Sequence, residues 1–182
     1  MASSTTVYKP HRSSPPPEVL RLIITRGQNG AVHKLGTSLD PGHRVLAWLK
    51  GWEAGPAVGI VRAQAAEFLT ASRLNVRPEL IDDVVLCTSE AVANALVHTE
   101  SRIIVIRLTA LADTVRGASV TAVVSDQDRT VPVERQVEPG DVTATSGRGL
   151  VCLTALSLWG CRRWEYGKDV WFTCPRPEPR HP

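Results

Sequence analysis

Glu90 and Asn94 stand four residues apart in the run Ser89-Glu90-Ala91-Val92-Ala93-Asn94. On a helix that spacing puts both on one face, and His98 extends the line by a further turn. Their neighbours are small or apolar: Ala91, Val92, Ala93, Ala95 and Leu96. A carboxylate and an amide in such company cost free energy unless they bind something. A carboxylate beside an amide carbonyl suits a hard cation, because Mg²⁺ takes oxygen ligands and fills its remaining positions with water and phosphate. A glutamate next to such an ion is also placed to orient or deprotonate a nucleophile. The same spacing equally serves a polar pair on an exposed helix edge.

Two further segments carry candidate chemistry. In Val123-Val124-Ser125-Asp126 an acidic residue closes an apolar strand and precedes a long loop. Strand ends that feed loops are common ligand positions, and a carboxylate there can accept a hydrogen bond from an exocyclic amine. An aspartate that simply starts a turn has the same local signature. In Ser146-Gly147-Arg148-Gly149-Leu150 the glycines precede a helix. They allow close backbone approach and leave amides free at the positive helix end, which suits phosphate, with Arg148 adding charge. A flexible connection reads the same way. No Rossmann unit is present, since the GxGxxG spacing is incomplete and a loop rather than a strand precedes it. Nor is there a P-loop, for no Gly-Lys-Ser/Thr follows.

These residues need elements to hold them. Ala57 to Leu74 reads as a helix, with Val58, Val61, Ala65, Phe68 and Leu69 on one stripe and Asn75 at its end. Pro78 opens a second helix to about Val97, with Glu79, Asp82 and Asp83 near its positive end. Arg102 to Leu111 and Ser119 to Ser125 read as strands joined at Gly117. Gln127 to Ser146 shows no periodicity and reads as a long loop of the functional kind. A third helix, Leu150 to Leu158, is followed by a hairpin with strands at Arg162 to Tyr166 and Val170 to Cys174. Lys168 falls in its Gly167-Lys168 turn and reads as structural. Leu22-Ile23-Ile24 and His43 to Trp52 are short possible elements, with Trp48 and Trp52 at helical spacing. The order predicts an α+β two-layer domain at 57–174, preceded by a Ser/Pro-rich disordered leader (1–20) and an extension (21–56), and followed by a loose tail (175–182).

Composition narrows the classes. The chain has 182 residues, 43% hydrophobic and 21% charged, which suits one globular domain with appendages. The net charge of +3 is too small to argue for nucleic acid, and the basic excess lies in 1–56 (+4) rather than 57–182 (−1). The leader has little aromatic interleaving beyond Tyr8, so no direct nucleic-acid contact is expected. The longest nearly apolar run, Gly149 to Gly160, is too short to span a bilayer. Four cysteines form no CxxC pair, and no histidine stands at zinc-finger spacing. With no apolar signal-peptide region at the start, the expectation is a cytoplasmic protein with reduced thiols.

Taken in order, the three segments resemble the GHKL-type ATPases, the superfamily of gyrase, heat-shock chaperone and histidine-kinase catalytic domains. The sequence looks most like the small actinobacterial anti-sigma-factor serine/threonine kinases and related stand-alone ATP-binding regulators. Ser89 to His98 resembles the family's N box. Val124-Ser125-Asp126 to Pro132 resembles the first glycine-box region, and Ser146 to Leu150 the second. Trp159-Gly160 and Gly167 to Phe172 are similar to the closing strands. The likeness covers roughly 57–174.

The resemblance implies a Bergerat-type two-layer α/β sandwich, with helices on one face of a mixed sheet. It implies ATP and Mg²⁺ as cofactors. Asn94 would ligate the metal, Glu90 would be the general base or a water-orienting carboxylate, and Asp126 would recognise the adenine amine. Gly147, Arg148 and Gly149 would line the phosphates, Leu150 would also belong to the cofactor-binding set, and 127–146 would be an ATP lid. The familiar Asp-x-Gly of larger relatives reads Asp126-Gln127-Asp128 here. The small regulators often lack that glycine and keep a downstream proline, as Pro132 does. The implied activity is transfer of the γ-phosphate to an anti-sigma antagonist, controlling a sigma factor by partner switching, in a chain that can work as a homodimer. The alternative is a non-catalytic ATP-binding or nucleotide-free interaction module of the same fold. A sensor-kinase module fits less well, because no two-helix phospho-acceptor hairpin is evident and His98 reads as a packed residue.

Overall fold

The computed structural model of the chain describes residues 17–26, 32–39, 42–52, 54–113, 117–133 and 148–175, and for 32–39, 42–52, 54 and 148 it describes the backbone alone. The elements run β1 (Glu18–Arg26), β2 (Val32–Leu39), β3 (Gly42–Trp52), α1 (Ala54–Thr70), α2 (Pro78–His98), β4 (Ile103–Asp113), β5 (Gly117–Asp126), α3 (Arg148–Leu156), β6 (Leu158–Trp164) and β7 (Gly167–Cys174). The strands form one sheet in the order β3-β2-β1-β4-β5-β7-β6. The helices lie against it, giving the α+β two-layer architecture that the element order predicts.

The expected mixed sheet is corrected to an antiparallel one, for all six pairings run antiparallel. The reason lies in the connections. Two helices separate β3 from β4, so the chain comes back down beside β1. β5 and β6 do run in the same direction across the α3 crossover. But β7 inserts between them, so the two strands never pair.

The extension (21–56) likewise supplies strands to this sheet, β1 to β3. β1 pairs with β4 through Leu20↔Leu108, Leu22↔Ile106 and Ile24↔Ile104. All six side chains are buried. Arg21, between two of them, is exposed. That period of two is the strand signature that three consecutive apolar letters obscured. Residues 18–20, assigned to the leader by composition, are the first of β1. The spacing of Trp48 and Trp52 suggests a helix, yet both fall on β3. The leader at 1–16, most of the tail at 176–182 and the loop at 134–147 lie outside the described residues.

α1 starts three residues earlier than the periodicity suggests, with Pro56 in its first turn, where a missing N–H costs nothing. Ala57, Val61, Ala65 and Leu69 form its buried stripe, four apart throughout. Past its end, Asn75 takes a left-handed turn at φ 51°. α2 begins at Pro78 after an extended Arg77 (φ −66°, ψ 145°), the conformation a following proline enforces. Leu80, Val84, Cys87, Ala91, Val92, Ala95 and Leu96 are buried along it. Its interior hydroxyls are satisfied locally: Thr88 donates to the Val84 carbonyl and Ser89 to that of Val85, both at 2.6 Å. α2 is the central helix, touching α1, α3, β5 and β7. Under it the sheet presents Ile104, Ile106 and Leu108 from β4, Val120, Ala122 and Val124 from β5, and Val170 and Phe172 from β7, all buried. Each fully buried aliphatic or aromatic side chain here contributes about 1.5–3 kcal/mol. The helix carrying Glu90 and Asn94 is therefore seated firmly on the strands carrying Asp126.

Candidate functional site

The inward face of β5 alternates Ala118, Val120, Ala122, Val124 and then Asp126, all buried. The inward face of β7 runs Lys168, Val170, Phe172 and Cys174, also buried. Each series ends in a charge where an apolar residue would continue the pattern. The register pairs Asp126 with Lys168 directly. Lys168 Nζ donates to Asp126 Oδ1 at 3.0 Å and to the Asp128 carbonyl at 3.1 Å. The two side chains are only 1% and 5% exposed. Burial pushes the Asp126 carboxyl above the usual carboxylate range, outweighing the opposing pull of the Lys168 contact.

The turn after Asp126 is tied down on both sides. The Asp128 amide donates to Asp126 Oδ1 at 2.8 Å. Gln127 donates its amide to Ser101 Oγ at 2.8 Å, and its side-chain oxygen accepts from the amides of Arg102 (2.9 Å) and Ile103 (3.2 Å). Asp128 turns its carboxylate to the Thr130 amide at 2.6 Å. That hydrogen bond holds the Asp128 carboxyl below the usual range. The backbone of Gly167 passes directly against the Asp126 carbonyl. A Cβ there would run into that oxygen and lie 3.0 Å from the Gln127 Cα. Those are backbone atoms and cannot swing aside. Gly167→Ala is expected to cost about 1–3 kcal/mol of stability by prising β7 from β5. Urea unfolding checks this, and an unchanged midpoint would mean that the strand ends part freely.

Above the charged pair, Ala91, Asn94, Ala95 and His98 of α2 line a cavity of about 310 Å³, together with Asp126, Lys168 and Val170 of the sheet. Leu150 and Leu153 of α3 close one side, and Thr130 to Val133 another. The volume stands at the lower end of the ~300–1,000 Å³ range of small-molecule pockets, and its walls combine apolar side chains with the polar groups of Asn94, His98, Thr99, Asp126, Thr130 and Lys168.

Of the sequence-predicted residues, Asn94, Asp126 and Leu150 thus share one cavity. Glu90 is beside it rather than in its lining, pressed against the start of α3. A Cβ on Gly149 would meet Glu90 Oε2 at 2.6 Å, Glu90 Cβ at 3.3 Å and Asn94 Nδ2 at 3.4 Å. A side chain at 149 would push the Glu90 carboxylate aside and crowd its Cβ, so glycine leaves the carboxylate–amide pair undisturbed against α3. Arg148 opens α3, its backbone alone being described, and Gly147 lies outside the described residues. Of the lid segment, 127–133 is described and forms one cavity wall.

Lys168 is the residue that sequence reasoning misplaced. The hairpin turn is Glu165-Tyr166, so Gly167 and Lys168 already belong to β7. The missed signal was the alternation Lys168-Val170-Phe172-Cys174, which puts the lysine on the inward face. Among the described residues no three His, Cys, Asp or Glu side chains gather as a metal cluster, and no helix is long and apolar enough to cross a membrane.

A family model described as a histidine kinase-like ATPase domain matches residues 54–163, more than half of the chain. No curated protein matches the sequence. Among solved structures, the chain is similar to the histidine kinase domain of a blue-light activated histidine kinase from Erythrobacter litoralis EL346, at 18% identity and a TM-score of 0.38. That similarity covers 70% of this chain, which spans 63% of the solved one.

Proposed function

The chain belongs to the histidine kinase-like ATPase domain family, and from that premise we propose that it is an ATP-binding regulator of the anti-sigma-factor type, acting as a serine/threonine kinase on an anti-sigma antagonist. ATP binding is what an ATPase domain of this family implies. The choice of protein substrate and of sigma factor rests on the sequence resemblance to the small bacterial regulators. The observation that carries the nucleotide reading is the convergence of Asn94, Asp126 and Leu150, from three distant segments, on one cavity.

The residues present fit the nucleotide. Asp126 is buried, and its Oδ2 has no protein donor among the described residues, so an exocyclic amine of a base would satisfy it. Ala91, Ala95 and Val170 offer the ring apolar contact. The start of α3, beside Asn94 and Glu90, would turn the positive end of a nine-residue helix to phosphate. Asn94 offers the amide oxygen that would hold Mg²⁺ along with the phosphates. Bound MgATP supplies the transferable phosphoryl group and screens its charge. Glu90 would take the proton of the attacking hydroxyl, and its position against Gly149 holds it at the phosphate end of the site. Asp126 orients the base, and the Val131–Val133 wall keeps water from it.

The test is calorimetric titration of ATP with Mg²⁺ into wild type and Asn94→Ala, followed by transfer assays on the antagonist. Saturable binding that the variant weakens about tenfold or more is expected, in line with a lost ligand to a bound ion. Absence of binding at millimolar ATP would remove the kinase reading and leave a partner-binding scaffold.

A further inference from the structure

Lys168 is an unusual lining for an apolar pocket. A lysine with 5% side-chain exposure has left water almost completely, and such a charge persists only where acceptors surround it. Its ammonium has three donors. Two are used, on Asp126 Oδ1 and the Asp128 carbonyl. The third has no partner among the described residues, and Lys168 lines the cavity. Beside it stands Asp126, whose Oδ1 already takes two donors while Oδ2 takes none among the described residues. The end of the β5–β7 pair thus offers one open acceptor next to one open donor, both on buried, charged groups. Lys168 also lies beyond residues 54–163, the part that the family model matches.

We propose that Lys168 is a second base-reading residue, donating its third hydrogen bond to the ring nitrogen adjacent to the amine that Asp126 accepts. The ligand class is a purine nucleotide whose edge carries a donor beside an acceptor, as the N6 amine and N1 of adenine do. The inference rests on the nucleotide reading above and deepens it. Two-point contact is a stronger filter than one, because an analogue lacking either group leaves a buried donor or acceptor unsatisfied. The ion pair has a double use. It keeps Asp126 paired, and it holds the ammonium in a fixed position, since the Asp128 carbonyl fixes the second of its bonds.

The experiment compares ATP with 1-deaza-ATP, in which N1 is replaced by C–H and the amine is kept. Binding to the full chain is measured by calorimetry for wild type and Lys168→Met. Wild type is expected to bind ATP about tenfold or more tightly than 1-deaza-ATP, and Lys168→Met to bind the two alike. Equal binding of both nucleotides by wild type overturns the proposal without any variant, so it stays testable even if Lys168→Met does not fold. Discrimination that persists in a folded Lys168→Met also overturns it, by assigning N1 to another group. Failure of wild type to bind either nucleotide overturns the nucleotide site itself and this role with it. Binding of both without discrimination leaves the site standing and removes Lys168 alone.

Discussion

Glu90→Gln is expected to lower the rate of phosphoryl transfer by roughly 10²–10⁴-fold, the usual contribution of a positioned general base. ATP affinity should change little, because the proposed base-binding and metal-binding groups, Asp126 and Asn94, are untouched. Glutamine is the informative replacement. It has the size of glutamate and fills the same contact with α3, where Glu90 Oε2 and Cβ lie within 3.3 Å of the position a Gly149 Cβ would take. Alanine would remove the base and open a gap under α3 together, so its effect would have two causes. Single-turnover transfer, with ATP binding measured separately, divides chemistry from affinity. Intact transfer in Glu90→Gln would end the base assignment. A wild type that binds ATP and transfers nothing would make the chain a binding module, with Glu90 a packing residue at the α2–α3 contact.

The second large effect concerns stability. Asp126→Ala removes the carboxylate from a lysine whose side chain is 5% exposed. Breaking one side of a buried pair strands the other charge, at a cost of about 3–5 kcal/mol. The Asp128 amide loses its acceptor in the same step. The double variant Asp126→Ala/Lys168→Met should recover most of that loss, because apolar replacement of a whole buried pair is often close to neutral. It should not recover nucleotide binding, since both base contacts would be gone. Denaturant unfolding without nucleotide measures the first part and calorimetry the second. A single variant as stable as wild type would show that Lys168 finds water or another acceptor. A double variant that still binds ATP normally would show that neither residue reads the base.

Much of the candidate site was legible in the sequence, for identifiable reasons. Helical spacing alone puts Glu90 and Asn94 on one face of α2, and Pro78 marks where that helix starts. Asp126 ends a β-branched strand, and strand ends at loops are where ligands meet a sheet. The Gly149 position was read from a glycine preceding an apolar run, and in the structure it packs against Glu90, whose carboxylate an added Cβ would displace. These are local signals, carried by residue type and by separations of a few positions.

Signals that depended on partners far along the chain were read less well. The extension gave mixed cues because half of each strand's pattern is supplied by its neighbour. Leu20, Leu22 and Ile24 become intelligible only opposite Leu108, Ile106 and Ile104. The sheet's all-antiparallel character follows from β7 entering between β5 and β6, a choice of neighbour that no local periodicity encodes. Lys168 was the sharpest case, since a displacement of the hairpin turn by two residues moves it from a solvent loop to the inner face of a strand.

By itself, then, the sequence determined the helices, the strand–turn grammar, the α+β class and three of the chemical segments, because propensity, periodicity and capping act over a few residues. The tertiary structure alone decided that Asn94, Asp126 and Leu150 line one cavity, that Glu90 rests against α3, and that Lys168 meets Asp126. Those juxtapositions span up to 59 positions, from Glu90 to Gly149. They depend on which strands pair and in what register, and that is settled by burying a whole apolar face at once rather than by any single stretch of chain.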